Sequence, residues 1–287
     1  MPELPEVQTM VQGLRRKVLN RTIVKIWSDA ESLVKNSNFL KFKKRIKNRK
    51  IKDIFRQGKV VCFELNDNKI LFIHPKMTGH FLIGKWRRAG NQWQLVNKKL
   101  LADSASKFIH LIFWLDNGLM LTFSDLRKFA RIELWDKTEL NKAKIVQELG
   151  VDALTLTLTQ LEKILKKRQT KIKQTLMEQK LIAGIGNIYA DEILFKSQIH
   201  PFRLASSLSN QEVKKIHQAI KLILKKAIGL GGSSVSDFYN SEGEPGRFQN
   251  ELKVYRRHQQ SCFHCQTIIQ RQKLGSRSTH FCPKCQK

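Results

Sequence analysis

Val7, Met10, Val11, Leu14 and Val18 recur at helical spacing, while Gln8, Gln12, Arg15, Arg16 and Lys17 occupy the other faces, so the chain is predicted to open with one amphipathic helix. From Ile23 to Trp135 the pattern changes to short strand-like runs at 60–65, 70–74, 108–115, 119–123 and 131–135. The third and fourth runs are joined through Asp116-Asn117-Gly118, and Asn-Gly favours a tight hairpin turn. An antiparallel β domain with a helix at its front is expected. Between Asp136 and about Leu156 the periodicity dissolves, and beyond it helical spacing dominates as far as Gly229. Thr159 with Glu162 and Ser209 with Glu212 fit capping boxes, and Val213, Ile216, Ile220, Ile223, Leu224 and Ala227 supply the apolar stripe of the later helix. The stretch from Gly231 through Gly246 is rich in turn formers and is expected to be a mobile loop.

Charge changes this picture from a generic two-domain protein to one that seeks polyanions. The 287 residues carry 53 Lys+Arg against 24 Asp+Glu, a net charge of +29. Eleven Lys/Arg lie between Lys35 and Lys59 against one acid, Asp53, and eight lie between Lys253 and Lys287 with none. Two distant segments of one sign make a phosphate-binding track a better reading than a merely solvated face. The longest apolar run, Leu111 to Leu115, is too short to span a bilayer, and the acidic start shows no signal peptide. A cytoplasmic nucleic-acid-binding protein is expected, with no membrane partner.

Five cysteines are an odd count, and four of them fall in the last 26 residues. Cys262 with Cys265 and Cys282 with Cys285 form two C-x2-C knuckles, whose 16-residue separation suits a four-cysteine zinc site. Four protein ligands leave no open coordination position, so one structural Zn2+ ion is expected, stabilising a hairpin too small for its own core. Cys62 sits in an apolar strand pattern and reads as a small buried hydrophobe.

Two further features carry chemistry. Gly184-Ile185-Gly186-Asn187 lacks the third glycine of a dinucleotide fingerprint, because Tyr189 takes that place. What remains is a glycine turn opening a helix at Asn187, where free amides suit a DNA phosphate; a ligand-free turn is the competing reading. At the start, removal of Met1 would leave Pro2 with a secondary amine able to attack an electrophilic sugar carbon, with Glu3 and Glu6 near enough in sequence to move protons. The alternative is that Pro-Glu is only a good helix start.

Pro2 to Val7, Gln57-Gly58-Lys59, His74-Pro75-Lys76-Met77-Thr78-Gly79, Asp125-Leu126-Arg127-Lys128-Phe129, Gly184 to Ala190 and the terminal four-cysteine hairpin together closely resemble the bacterial formamidopyrimidine-DNA glycosylases, over essentially the whole chain. Leu4 favours this family over the related endonuclease VIII enzymes. The resemblance implies an α+β multidomain protein. Its parts would be an antiparallel β-sandwich flanked by helices (1–136), a linker (137–156), a helix-two-turns-helix domain (157–230), a lesion-capping loop (231–250) and a zinc-finger hairpin (251–287). It implies a monomer acting on double-stranded DNA with oxidised bases: excision of 8-oxoguanine and formamidopyrimidines, then β,δ-elimination at the abasic site. The same chemistry on oxidised pyrimidines, and a non-catalytic zinc-finger DNA-binding protein, are the competing readings.

Residue by residue, the resemblance makes Pro2 the nucleophile at the sugar C1′, Glu3 its acid/base partner, Lys59 a proton donor in β-elimination and Arg277 a δ-elimination and phosphate-binding residue. Met77, Arg127 and Phe129 match a triad that fills the void left by the flipped nucleotide. His74, His110, Arg168 and Asn187 match DNA-contacting positions. Three departures are visible: Phe108 for one histidine of a His-x-His pair, Leu126 for a proline, and Ser236 for a basic residue in the capping loop.

Overall fold

A computed structural model describes residues 1–90, 92–96, 106–235 and 238–287, with the backbone alone at position 141. Ser236 lies outside the described residues. The chain divides into two compact units: Met1–Gln147 with Leu230–Arg247, and Glu148–Gly229 with Phe248–Lys287.

The first unit opens with helix α1 (Leu4–Val18) and strand β1 (Thr22–Ser28), followed by helix α2 (Phe39–Ile46). Next come β2 (Arg49–Gln57), β3 (Val60–Leu65), β4 (Lys69–His74), β5 (His80–Gly84), β6 (Trp86–Ala89), β7 (Gln92–Leu95), β8 (Ile109–Leu115), β9 (Met120–Ser124) and β10 (Arg131–Asp136). Eight strands join in the order β10-β4-β3-β2-β1-β8-β9-β5. β1 and β2 meet only at Thr22↔Lys50 and Ile23↔Arg49, so the sheet has two four-stranded halves hinged at one corner. The halves pack on a shared core that takes Val61, Phe63, Leu71, Ile73 and Ile132 from one and Ile26, Phe81, Leu111, Phe113 and Phe123 from the other. The Phe63 and Phe81 rings meet edge to face with centroids 5.8 Å apart, making this the expected sandwich.

Both outer faces are covered as well, which explains why β3 and β8 read as nearly continuous apolar runs. Val60, Cys62, Ile70 and Phe72 pack with Leu140, Ile145 and Val146. The stretch 137–147, expected to be linker, therefore belongs to the first unit: its few apolar residues cover the back of the sheet, partly through α3 (Lys144–Gln147). Cys62 is fully buried, and burial pushes its thiol pKa well up, as suits a small hydrophobe. On the other half, the β6–β7 hairpin brings Trp86, Trp93 and Leu95 over Leu82, Ile109 and Ile112.

In the second unit β11 (Val151–Asp152) pairs in parallel with β12 (Ile182–Ala183), on either side of α4 (Leu158–Lys166) and α5 (Ile172–Met177). The capping box of α4 is Thr157 with Gln160, two residues before the expected pair. Thr157 with Gln160 and Thr159 with Glu162 make the box readable in two registers; the structure takes the first, with Leu161 and Leu165 buried. The Ser209–Glu212 box forms as expected at the start of α7 (Asn210–Gly229).

Between them α6 (Asn187–Ser197) is buried nearly all round. Its Asp191 and Glu192 each hold the C-terminal segment. Asp191 pairs with buried Lys173 at 2.7 Å and accepts the His280 amide at 2.9 Å. Glu192 accepts the amides of Lys253, Val254 and Tyr255. Burial pushes the Glu192 pKa up, against the pull of those amides. The chain closes with the hairpin β13 (Gln270–Leu274) and β14 (Arg277–Phe281). Among the described residues no helix is long and apolar enough to cross a membrane.

Candidate active site and DNA-contacting residues

Pro2 is buried directly before α1. Glu3 is the N-cap of that helix and forms a reciprocal capping box with Glu6, whose Oε2 accepts the Glu3 amide at 2.8 Å. Glu6 Oε1 accepts the amide of Ser233 at 2.8 Å. Both Glu6 oxygens are thus engaged by backbone, one at the N-terminus and one in the 230–247 loop. Glu6 thereby fastens the helix start to the loop. Glu3 and Glu6 thus build the start of α1, directly after Pro2. While Met1 is attached, the Pro2 nitrogen is an amide with a delocalised lone pair; its removal creates the nucleophilic secondary amine.

Lys59 is buried at the two-residue turn between β2 and β3, where Gly58 takes a left-handed φ of 56°. The turn is tied to α1 through Arg56, which donates to Gln8 at 3.0 Å and to the Gly58 carbonyl at 2.9 Å. His74, at the end of β4, accepts the Lys76 amide on Nδ1 at 3.0 Å. Burial first, then the charges of Lys76, Lys59 and Arg131, lower its pKa to about 3. His74 is therefore a neutral ring at physiological pH.

Met77, Arg127 and Phe129 come together although strands β5 to β9 separate the first from the others. The Arg127 guanidinium lies 4.6 Å from the Phe129 ring centroid and donates to the Met77 sulfur at 3.1 Å. Met77 is 40% exposed and Phe129 53%, so neither is a core residue. Fully buried Asp125 builds this surface: it accepts the Thr78 hydroxyl and, at 2.9 Å, the Ala130 amide. The turn is fastened by Asp125, and Leu126, standing in place of the family's proline, is half exposed. No sequence periodicity could have assigned Thr78 and Asp125 this task, because their bond spans 47 residues.

His110 is buried at a β-bulge between Ile109 and Leu111 that interrupts the β8 register. Its Nδ1 sits 2.8 Å from Asp29. The structure does not bring it into the Met77 group.

In the second unit the Gln179 side chain staples the glycine turn, donating to the Ile185 carbonyl at 2.7 Å and accepting the Gly184 amide at 3.0 Å. Gly184 has φ 109°, and Gly186 caps α6. Asn187 follows, its Oδ1 buried with no hydrogen-bond partner. The Arg168 amide closes the turn after α4 on the Leu165 carbonyl, and Arg277 is exposed at the hairpin tip, opposite Leu274. The Sγ atoms of Cys262, Cys265, Cys282 and Cys285 all lie within 4.8 Å of one another. Zinc–sulfur bonds of about 2.3 Å in a tetrahedron give sulfur–sulfur edges of about 3.8 Å, so the donor set fits one zinc ion. Hydrogen bonds from the Thr267 side chain and amide lower the Cys265 pKa to about 6, whereas burial raises those of Cys282 and Cys285. Zinc bound there supplies a cross-link between the knuckles and no reactive position.

Three family models match the chain: the formamidopyrimidine-DNA glycosylase N-terminal domain over residues 1–132, its H2TH domain over 149–239, and a zinc finger found in these enzymes and in isoleucyl-tRNA synthetases over 260–287. The formamidopyrimidine-DNA glycosylase of Shouchella clausii is 38% identical over 289 residues, covering 100% of this chain and 99% of that protein. A mutant of the Lactococcus lactis enzyme in complex with Fapy-dG-containing DNA superposes with a TM-score of 0.87 at 32% identity, covering 100% of both chains. The wild-type Lactococcus lactis enzyme with DNA containing an oxidised pyrimidine matches with a TM-score of 0.86 at 32% identity.

Proposed function

The chain belongs to the formamidopyrimidine-DNA glycosylase family, and on that premise we propose that it is a base-excision-repair glycosylase and abasic-site lyase that uses Pro2 as its nucleophile. It acts on duplex DNA carrying oxidised purines, 8-oxoguanine and formamidopyrimidines, in the cytoplasm. The single observation that supports this reading best is the Glu6 bridge, which orients the Pro2–Glu3 start beside the Ser233 amide.

In this mechanism the neutral Pro2 nitrogen attacks C1′ as the glycosidic bond breaks, and the base leaves with a proton. Glu3 moves protons at the sugar as the ring opens. The resulting iminium acidifies the C2′ proton, whose loss expels the 3′ phosphate; Lys59 serves as a proton donor in this step. Arg277 binds phosphate and supports the second elimination. Extruding the lesion costs a few kcal/mol of stacking and pairing. Met77 and Phe129 fill the gap, while Arg127 hydrogen-bonds the orphaned base. Asn187 and Arg168 contact phosphates, and His74, a neutral donor through Nε2, contributes from the first unit.

Borohydride trapping tests the proposal. With a duplex carrying 8-oxoguanine opposite cytosine, a covalent adduct mapped to residue 2, and absent in Pro2→Gly, is expected. An adduct formed only on an oxidised pyrimidine, the lesion class bound by the Lactococcus lactis enzyme, would keep the chemistry and overturn the substrate. No adduct on any lesion or preformed abasic site would overturn both.

A further inference from the structure

Gly13 stands in the middle of α1, where glycine is less favourable than alanine and where nothing about the helix itself asks for it. A Cβ built on Gly13 would lie 2.2 Å from Ser241 Oγ and 3.2 Å from Ser241 Cβ, too close for either atom to stay in place. Ser241 is buried, and its carbonyl accepts the Ile83 amide at 3.2 Å. One helical turn on, Lys17 pairs with Glu242 at 3.0 Å. The returning arm of the 230–247 loop thus rests on the Gly13–Lys17 face of α1.

That arm is itself well braced. Asn240 Oδ1 accepts the amides of Glu242 and Glu244, each at 2.9 Å, and the Asn240 amide donates to the Glu244 carbonyl at 2.9 Å. The neck of the loop is closed by the Arg247 amide on the Leu230 carbonyl at 2.9 Å. A Cβ on Gly246 would come within 2.3 Å of the Gly232 carbonyl oxygen, so two backbones cross there at a distance only glycine allows. Directly after Gly232, Ser233 is tied to Glu6. The loop is therefore fixed to one rigid helix at two levels, Glu6 in its first turn and Gly13 with Lys17 about two turns later.

We propose that Gly13 and Lys17 form a seat for the return arm of the 230–247 loop, and that this seat positions the loop for base excision without taking part in the chemistry at Pro2. The inference rests on the reading of the protein as a glycosylase whose loop covers the extruded base. A displaced base needs the loop in register; an abasic sugar presents no base to cover. The seat should accordingly govern base release more than strand cleavage.

The experiment compares single-turnover release of 8-oxoguanine with cleavage of a preformed abasic duplex, using one preparation of each full-length variant. Gly13→Val is expected to slow base release at least about tenfold, since a reacting group misplaced by about 1 Å can cost roughly 10²-fold. Abasic cleavage should stay within about twofold. Adding Ser241→Gly removes the colliding atoms and should restore base release. Equal loss in both assays, no loss in either, or failure of the second substitution to rescue would overturn the proposal. If Gly13→Val does not fold, the charge reversal Lys17→Glu is used, with rescue by Glu242→Lys as the expected result and absence of rescue as the refutation. Wild-type protein inactive on every duplex would instead refute the glycosylase reading. In that case, non-additive melting shifts between Gly13→Ala and Ser241→Gly still test the seat, additivity overturning it.

Discussion

Glu6 accepts the amide of Ser233 across 227 residues of chain, and the same carboxylate accepts the amide of Glu3. One side chain therefore sets both the start of the helix that carries Pro2 and the entry of the loop 230–247. Glu6→Gln keeps the shape but turns an NH2 donor toward one of those amides, leaving a donor facing a donor. The cost is about 1–3 kcal/mol for the unsatisfied group, read as a loss of roughly 5- to 150-fold in base release. Single-turnover kinetics check this; unchanged kinetics would mean the bridge has no part in the reaction.

Asp125 is buried and fastens the 125–130 turn through Thr78 and the Ala130 amide. Asp125→Ala strands these donors and should destabilise the protein by about 2–6 kcal/mol, from two buried groups at about 1–3 each. Urea unfolding measures it; a change below about 0.5 kcal/mol would show that the turn holds without the carboxylate.

Phe129 is an exposed side chain whose main contact is the guanidinium of Arg127. Phe129→Ala should leave the melting temperature nearly unchanged, slow lesion extrusion and spare nonspecific binding. Stopped-flow fluorescence of a 2-aminopurine beside the lesion separates the two steps. Equal losses in extrusion and nonspecific affinity would rule out a wedge.

His74 gives a pH dependence with a definite sign. Its folded pKa of about 3 lies below the ordinary 6.5, so between those values the unfolded chain binds a proton that the folded one refuses. Stability is unaffected above the upper value and falls as pH drops through the window, with a slope of up to about 1.4 kcal/mol per pH unit from this group. His74→Gln should flatten that part of the stability curve; identical curves for both proteins would remove His74 as the cause.

Chelation of the metal should free the four thiolates from their cross-link and unfold the hairpin, which packs only a small cluster around Phe195, Val254 and Ile269. DNA affinity and cleavage are expected to fall together, while the first unit keeps its melting transition. Normal cleavage by the metal-free protein at low salt would show that the hairpin is dispensable.

The amino-acid sequence by itself determined the succession of leading helix, antiparallel β domain, helical domain and cysteine hairpin, the metal ligands and the sign of the partner, but not helix α2 or strands β1, β2 and β5 to β7. These follow from local information: apolar spacing along Val7–Val18, the two C-x2-C knuckles, and the excess of Lys and Arg. Motif matches also picked out Pro2, Glu3, Lys59, Arg127 and Phe129. Tertiary structure decided what those residues touch. Glu6 reaches Ser233, Thr78 reaches Asp125, Gly13 receives Ser241, Lys173 finds Asp191 and Thr279, and Asp191 in turn holds His280. Each of these partnerships except the short step from Lys173 to Asp191 joins segments far apart in the chain, through polar or glycine positions that carry no period. A buried polar group must find a partner, but which one depends on how two remote backbones are brought together. The same limit explains the stretch 137–147: its sparse apolar residues show no helical or strand period, yet they bury the back of the sheet once it exists.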